Sequence, residues 1–433
     1  MPHLGAFFFY NVFIAEETLL IQLQPHQQRA FDNMQSEDCG QILIPTGGGK
    51  TYIMIADLKE QLRTAYSGLV SVVVAPRILL SNQLHSEFSE HLVDEDVRIS
   101  HVHSGEVKEF SSTNAEEIAD YVNNHDSHHI IYTTYHSLHR IVDADIPIHN
   151  IYFDEAHNGT SKHFFEAVLA TSKYANRRYY FTATPRIGRG QSKERGMDNN
   201  RVYGNILEQT AAAELIQSGK IVPPLVVPFD TDLVRERINA HDVDRENVIN
   251  ILESLEEGKN HKVLIAAPNT KVLWRMLSQT SIINDLKLMG YDIMHITSKH
   301  GAYINQQKVR RDKFFNTLTN WGADDNKRFV IFHYSILSEG INVPGLSDTI
   351  LLRNLPSIEM AQTIGRVIRL HNEDRSNIQS GKIPAGMINF YRKKCGYVRI
   401  PLTKGIGTKT HKRVQSIVNT IFNEGIVPIS YAS

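Results

Sequence analysis

The chain has 433 residues, of which 41% are hydrophobic and 21% charged, and its formal net charge is −1. That length suits two domains, and the balance is that of a globular chain, neither disordered nor globally basic. Two distant cysteines, Cys39 and Cys395, exclude a disulfide framework and fit a reducing compartment.

The chain opens on an apolar run, LGAFFFYNVFIA, that meets Glu16 and Glu17. It is too short to span a bilayer and lacks a basic leader, so a packed strand, a cytoplasmic setting and no membrane partner are expected. The run at 42–51 reads ILIPTGGGKT: three aliphatic residues for a buried strand, a glycine turn, and Lys50 and Thr51 opening a helix. Ile55, Leu58 and Leu62 fall on one face of that helix, and Gly68 ends it. Further short β runs are expected at 72–75, 130–133, 151–153 and 179–182, apolar on both faces as in parallel strands covered by helices. The stretch 186–200 is polar and Gly-rich and reads as a mobile loop, and 208–218 reads as a helix closed by Gly219. A second series at 263–267, 291–297, 329–334, 349–352 and 387–391 predicts another α/β unit.

The expected division is a first domain over 1–220, a second over 221–380 and a basic extension over 381–433. Between Arg375 and Glu424 no acidic residue occurs, while Lys382, Arg392, Lys393, Lys394, Arg399, Lys404, Lys409, Lys412 and Arg413 accumulate. Such a run is either a solvated basic face or a contact for nucleic-acid phosphates, with Lys393, Lys394 and Lys412 as candidates. The histidines His125, His128, His129, His136 and His139 crowd one stretch, but no cysteine accompanies them and apolar residues interleave, so a metal site is not expected there.

The chemistry sits in two places. A strand, a glycine turn and a helix N-terminus form a phosphate cradle, because backbone N–H groups converge on an anion where the helix dipole is positive. Thr46, Gly47, Gly48, Gly49, Lys50 and Thr51 make up this loop; Lys50 would reach the β- and γ-phosphates and the Thr51 hydroxyl would hold Mg²⁺. The match to G-x-x-x-x-G-K-[ST] is imperfect, since Ile44 stands at the first glycine. About a hundred residues on, IYFDEAHNG would deliver Asp154 and Glu155 to the edge where open α/β sheets bind ligands. Asp154 suits Mg²⁺ binding, and Glu155 suits deprotonation of an attacking water.

With the glycine turn and DEAH in order, the chain resembles a superfamily 2 helicase of the DEAH-box type. Further stretches resemble that family's motifs in sequence: Gln27 in LQPHQQRAF, VVVAPRILLSNQ, YTTYHSL, FTATP, VLIAAPNT, SILSEGINVPGL and QTIGRVIRLH. The resemblance implies two tandem RecA-like parallel-sheet domains with ATP and Mg²⁺ between them. It implies adenine recognition by Gln27, nucleotide contacts from Gly340, Asn342 and Gln362, and arginine fingers at Arg366 and Arg369. His157 would couple the box to Gln362. Nucleic acid would lie across both domains, contacted by Pro76, Arg77, Ser104, Gly105, Thr133 and Thr134 on the first, and by Asn269, Thr270, Thr297, Ser298 and Ser338 on the second. Asn342 replaces the usual Asp, and Tyr334 the usual Thr, of the fifth motif. The sub-pattern is similar to phage repair helicases of the UvsW type and to motor subunits of restriction enzymes; 201–224 resembles their connector. The implied activity is ATP-dependent helicase or translocase action on DNA in recombination, repair or fork and junction remodelling, by a chain that is monomeric when free. The motifs contact backbone, so an RNA helicase stays open, as does an ATP-gated clamp that does not unwind.

Overall fold

The computed structural model describes residues 22–66, 68–93, 95–256, 259–297, 299–334, 343–404, 407–426 and 430–432. The expected N-terminal strand, Ser298, Ser338, Gly340 and Asn342 lie outside the described residues.

The first lobe is built on strands β1 (Cys39–Leu43), β2 (Val70–Ala75), β3 (Val97–Val102), β4 (Phe110–Ser111), β5 (His128–Thr134), β6 (Asn150–Phe153) and β7 (Arg177–Thr182), then β8 (Arg186–Ile187) and β9 (Asn205–Gln209). All except β8 form one sheet in the order β4-β3-β5-β2-β6-β7-β1-β9, and every pairing in it is parallel. Parallel strands need crossovers, and here helices cover both faces; β2 is buried along its whole length, as such a sandwich requires.

The second lobe holds β10 (Pro224–Val234), β11 (Lys262–Ala266), β12 (Asp292–Thr297), β13 (Gly301–Ile304), β14 (Gln307–Val309), β15 (Phe329–His333), β16 (Asp348–Leu351) and β17 (Gly396–Lys404). Their order is β10-β17-β16-β11-β15-β12-β13-β14, parallel except for the antiparallel edge β12-β13-β14. The molecule is thus an α/β protein of two RecA-like parallel-sheet domains. Among the described residues no helix is long and apolar enough to cross a membrane.

Four expectations need correction. The run 387–391 is not a strand: Ile388–Phe390 is a single 3₁₀ turn. Gly386, at φ 77°, turns the chain so tightly against Gln217 that a Cβ there would stand 2.2 Å from its carbonyl oxygen. The segment from 381 is not an appendage, because β17 is an inner strand of the second sheet. The helix expected at 208–218 starts only at Ala212, after β9 has joined the first sheet. Residues 186–200 are not a loose loop: β8 pairs with β18 (Ser430–Tyr431), and the Ser192 hydroxyl donates to the Ala432 carbonyl at 2.8 Å.

Two buried carboxylates tie neighbouring elements of the sheets together. Asp57, on the helix Lys50–Thr64, accepts from Arg177 at 2.9 Å and from the Tyr152 hydroxyl at 2.7 Å. Asp348 on β16 accepts from Arg399 of β17 at 2.6 Å and pairs with His261 Nδ1 at 3.0 Å. Removing the acid would leave a buried guanidinium uncompensated, so Asp348→Ala should lower stability by about 3–5 kcal/mol in chemical denaturation. A loss under about 1 kcal/mol would show that this pair does not hold β16 to β17.

Candidate functional site

Parallel sheets bring the C-terminal ends of their strands to one edge, and the candidate residues follow those ends. Residues 45–49 follow β1, Asp154 and Glu155 follow β6, and Thr182 and Thr184 lie at and after the end of β7.

The glycine loop fixes the entry to the helix Lys50–Thr64. Gly49 caps that helix at φ 78°, and Gly47 lies at φ 91°. Ile44, where a glycine was expected, is fully buried and packs under the loop: a Cβ on Gly48 would stand 2.3 Å from its Cγ2. The apolar residue therefore serves the core, while Gly48 supplies the close approach. Gln27 Nε2 donates to the Gly48 and Gly49 carbonyls at 3.1 and 3.2 Å, and His26 Nε2 lies 2.8 Å from the Gly48 oxygen. Both side chains brace the loop. His26 carried no sequence signal beyond lying beside Gln27. Lys50 Nζ lies 3.4 Å from the Ile44 carbonyl, so its ammonium is turned back over the loop it would serve.

Asp154 and Glu155 are adjacent at the end of a buried strand. Burial and the neighbouring Glu155 push the Asp154 carboxyl up to about 7, against the pull of Lys50. Glu155 has φ 46° and ψ 53°, a left-handed conformation that is costly for a side chain with a Cβ. Its Oε2 is buried without a hydrogen-bond partner, 3.5 Å from His157 Nδ1. His157 Nδ1 lies 2.9 Å from the Thr182 hydroxyl, which also accepts the Thr184 amide at 3.1 Å. The box is thereby tied to the FTATP stretch. The Tyr135 hydroxyl donates to the Asp154 carbonyl at 2.9 Å. Two carboxyl groups side by side, one pushed up towards neutrality and one with an orphaned oxygen, form a donor set that fits a hard divalent cation such as Mg²⁺, with Thr51 nearby in sequence.

The second lobe brings Arg366 to this edge on the helix Ser357–Val367, and Arg369 follows just past the helix end. Gly365 lets that helix abut the loop: a Cβ there would stand 2.9 Å from the Thr46 Cβ. Arg366 is buried, and nearby His333 is pushed down to about 3 by burial, with Arg366 and Arg353 adding to it. Burial draws Arg369 down to about 10, opposed by Glu87 of the first lobe. The Gln362 Nε2 donor is buried without a hydrogen-bond partner. It borders an apolar cavity between the lobes that is shared with Thr46, Ala183, Ile421 and Phe422. The last two come from the segment expected to be a basic extension.

The nucleic-acid candidates divide. Arg77, Ser104 and Asn269 are exposed, and Gly105 and Thr270 are partly so; Pro76 is buried. Thr133, Thr134 and Thr297 are corrected, since all three are buried: the Thr133 hydroxyl donates to Val102 O at 2.9 Å, and Thr297 Oγ1 accepts the His300 amide. Lys393 is corrected too. Its Nζ turns inward, donating to the Leu346 and Arg369 carbonyls at 2.6 and 2.8 Å, and burial draws it down to about 7. Nor is the run without counter-charge. Arg392 meets Asp325 and Glu373, and Arg399 meets Asp348. Lys394, Lys409 and Lys412 are exposed.

A family model described as "Type III restriction enzyme, res subunit" matches residues 20–187, and one described as "Helicase conserved C-terminal domain" matches residues 245–371. No curated protein matches the chain in sequence. Among solved structures, the ATP-dependent Type ISP restriction-modification enzyme LlaBIII bound to DNA is similar, with a TM-score of 0.67 and 17% identity over 94% of this chain and 30% of its own. A nuclease-deletion mutant of the Type ISP enzyme LlaGI, in complex with a DNA substrate mimic, gives 0.60 and 16% identity over 92% and 29%. The chain therefore carries, in order, the two domains of a superfamily 2 helicase, and such domains imply ATPase activity. It spans under a third of the length of either restriction enzyme.

The raised Asp154 makes a prediction with a definite sign. An unfolded Asp ionises near 4, whereas the folded one does so at about 7. Between those values the folded state binds more protons, so the nucleotide-free protein should lose stability as pH rises from 5 to 8, by about 2–3 kcal/mol from this group. Denaturant titration of Asp154→Asn should lack that component of the decline; equal pH dependence in both proteins would contradict the assignment.

Proposed function

We propose that the chain is the ATP-driven motor of a DNA helicase or translocase. The observation that carries this reading is the junction of the lobes: the arginine-bearing helix of the second abuts Thr46 of the glycine loop through Gly365, beside Lys50, Asp154 and Glu155 of the first.

The loop amides and Lys50 would hold the triphosphate of ATP, and Asp154 and Thr51 would hold Mg²⁺, which would supply neutralisation of phosphate charge. Asp154 would serve as a ligand in its ionised form. Glu155, held in its left-handed conformation with an unpartnered oxygen, orients and deprotonates the attacking water. Arg366 and Arg369 stabilise the transferring phosphoryl group only with the lobes together, so hydrolysis is tied to lobe movement. His157, through Thr182 and Thr184, passes the state of the box to the FTATP stretch. Gln27 contacts adenine once its amide leaves the loop carbonyls, and Gln362 offers its free donor to nucleotide or box. Gly340 and Asn342 are further candidates on the nucleotide.

DNA tracks across both lobes over Arg77, Ser104, Gly105, Asn269 and Thr270, with Lys394 and Lys412 adding phosphate contacts. The DNA-bound state of the similar restriction enzymes favours DNA over RNA. The resemblance to phage repair helicases supports a place in recombination, repair or junction remodelling. The restriction-motor likeness equally supports translocation without strand separation, and strand-displacement and triplex-displacement assays on one preparation distinguish the two.

Glu155→Gln should bind ATP as the parent does and lose DNA-stimulated turnover by at least about 10². Equilibrium binding of a fluorescent ATP analogue and a phosphate-release assay check both halves. Turnover near the parent's would remove Glu155 as the base.

A further inference from the structure

A cluster of histidines lies outside the nucleotide site and is not the run at 125–139. His85 stands on the helix Ile78–His91, His101 on β3, and His103 just beyond it. His101 Nε2 lies 3.2 Å from His85 Nδ1 and 3.9 Å from a Glu109 carboxylate oxygen. One nitrogen or oxygen from each of these three residues falls within 4.8 Å of the others. The His101 side chain is fully buried, while that of Glu109 is 35% exposed, so the group has a rigid inner end and a movable outer one.

We propose that His85, His101 and Glu109 form a binding site for a first-row transition ion, with Zn²⁺ the best fit, which staples the turn at 103–109 to the helix Ile78–His91. A tetrahedral ion at Zn–N distances of about 2.0–2.1 Å places neighbouring ligand atoms about 3.3 Å apart. The His85–His101 separation already matches, and Glu109, whose oxygen stands 3.9 Å from His101 Nε2 and within 4.8 Å of the His85 ligand atom, has to close in on both. Two imidazoles and a carboxylate are borderline donors that suit zinc better than Mg²⁺ or Ca²⁺. The fourth position faces solvent and takes water.

The competing arrangement is a chain of hydrogen bonds. The Gly105 amide donates to His103 Nδ1 at 3.1 Å, and His103 Nε2 lies 3.1 Å from His101 Nδ1. With one proton per ring, that chain puts the His101 proton on Nε2, facing His85. Ion binding needs the lone pair there. The His101 proton then moves to Nδ1 and bonds to His103 Nε2, and the His103 proton moves to its own Nδ1. No proton is gained or lost, and the cost is one hydrogen bond, that of the Gly105 amide. Two metal–imidazole bonds and one metal–carboxylate bond replace the weak His85–His101 contact, and His103 becomes the outer partner that fixes the ligand's tautomer. The staple would then act on the turn carrying Ser104 and Gly105.

The test uses the full chain, stripped with a chelator and held in excess Mg²⁺ so that the carboxylates of the nucleotide site are occupied. Titration with Zn²⁺ against a chromophoric chelator should reveal one equivalent that competes for the metal. His85→Ala and Glu109→Gln, each at a position with solvent access, should weaken that equivalent at least about tenfold while far-UV circular dichroism and basal ATPase stay those of the parent. Absence of a competing equivalent in the parent, or its full retention in both variants, would overturn the site.

Discussion

Two neighbouring carboxyl groups at the end of one buried strand set the terms for everything around them. Asp154 and Glu155 cannot both carry full charge in a poorly hydrated place without positive charge nearby, and Asp154 is accordingly pushed up to about 7. Such a pair is destabilising by itself; Lys50 offsets part of that, and on the proposed reading a divalent cation and the arginines of the second lobe offset the rest. The sheets exist in the form that serves this need. Parallel strands gather their C-terminal ends on one edge, helices shield both faces, and polar groups from both lobes converge at the edge between them.

That convergence depends on close backbone approach. Gly49 lies under Gln27, Gly48 over Ile44, and Gly365 against Thr46, so at three positions a methyl group would require something to move. The left-handed Glu155 adds local strain that the surrounding hydrogen bonds of His157, Thr182, Thr184 and Tyr135 hold in place. The tail closes the arrangement. Ile421 and Phe422 line the cavity between the lobes, and Ser430–Tyr431 returns to pair with Arg186–Ile187, just beyond the FTATP stretch.

The sequence was most legible where one residue type answers one physical demand. Buried parallel strands are aliphatic on both faces, so β1, β2, β5, β6, β7, β11, β12, β15 and β16 could be read directly, and the glycine loop and DEAH box marked the strand ends that matter. Strands whose residues alternate or carry charge were not read: β17 contains Arg399, whose partner Asp348 is 51 positions away. The same distance effect misled the reading of the basic run. Local counting saw no acid near Arg392 and Arg399, but the fold supplies Asp325, Glu373 and Asp348 from elsewhere. Lys393 read as a surface cation because nothing local says that its ammonium is spent on two carbonyls. Hydroxyl contacts failed for a related reason. Thr133, Thr134 and Thr297 sit buried within strands, and the hydroxyls of Thr133 and Thr297 are engaged by backbone groups. The pairing of His85 with His101 joins a helix to a strand and has no sequence spacing to betray it.

The central claim is that the second lobe contributes Arg366 to the transition state across the cleft instead of to ground-state binding. Steady-state ATP hydrolysis by Arg366→Ala, measured with saturating DNA over a wide ATP range, tests it directly. The account predicts a fall in kcat of about 10³–10⁵ with a far smaller change in KM, as for an arginine finger. A KM raised by orders of magnitude with kcat preserved would contradict it.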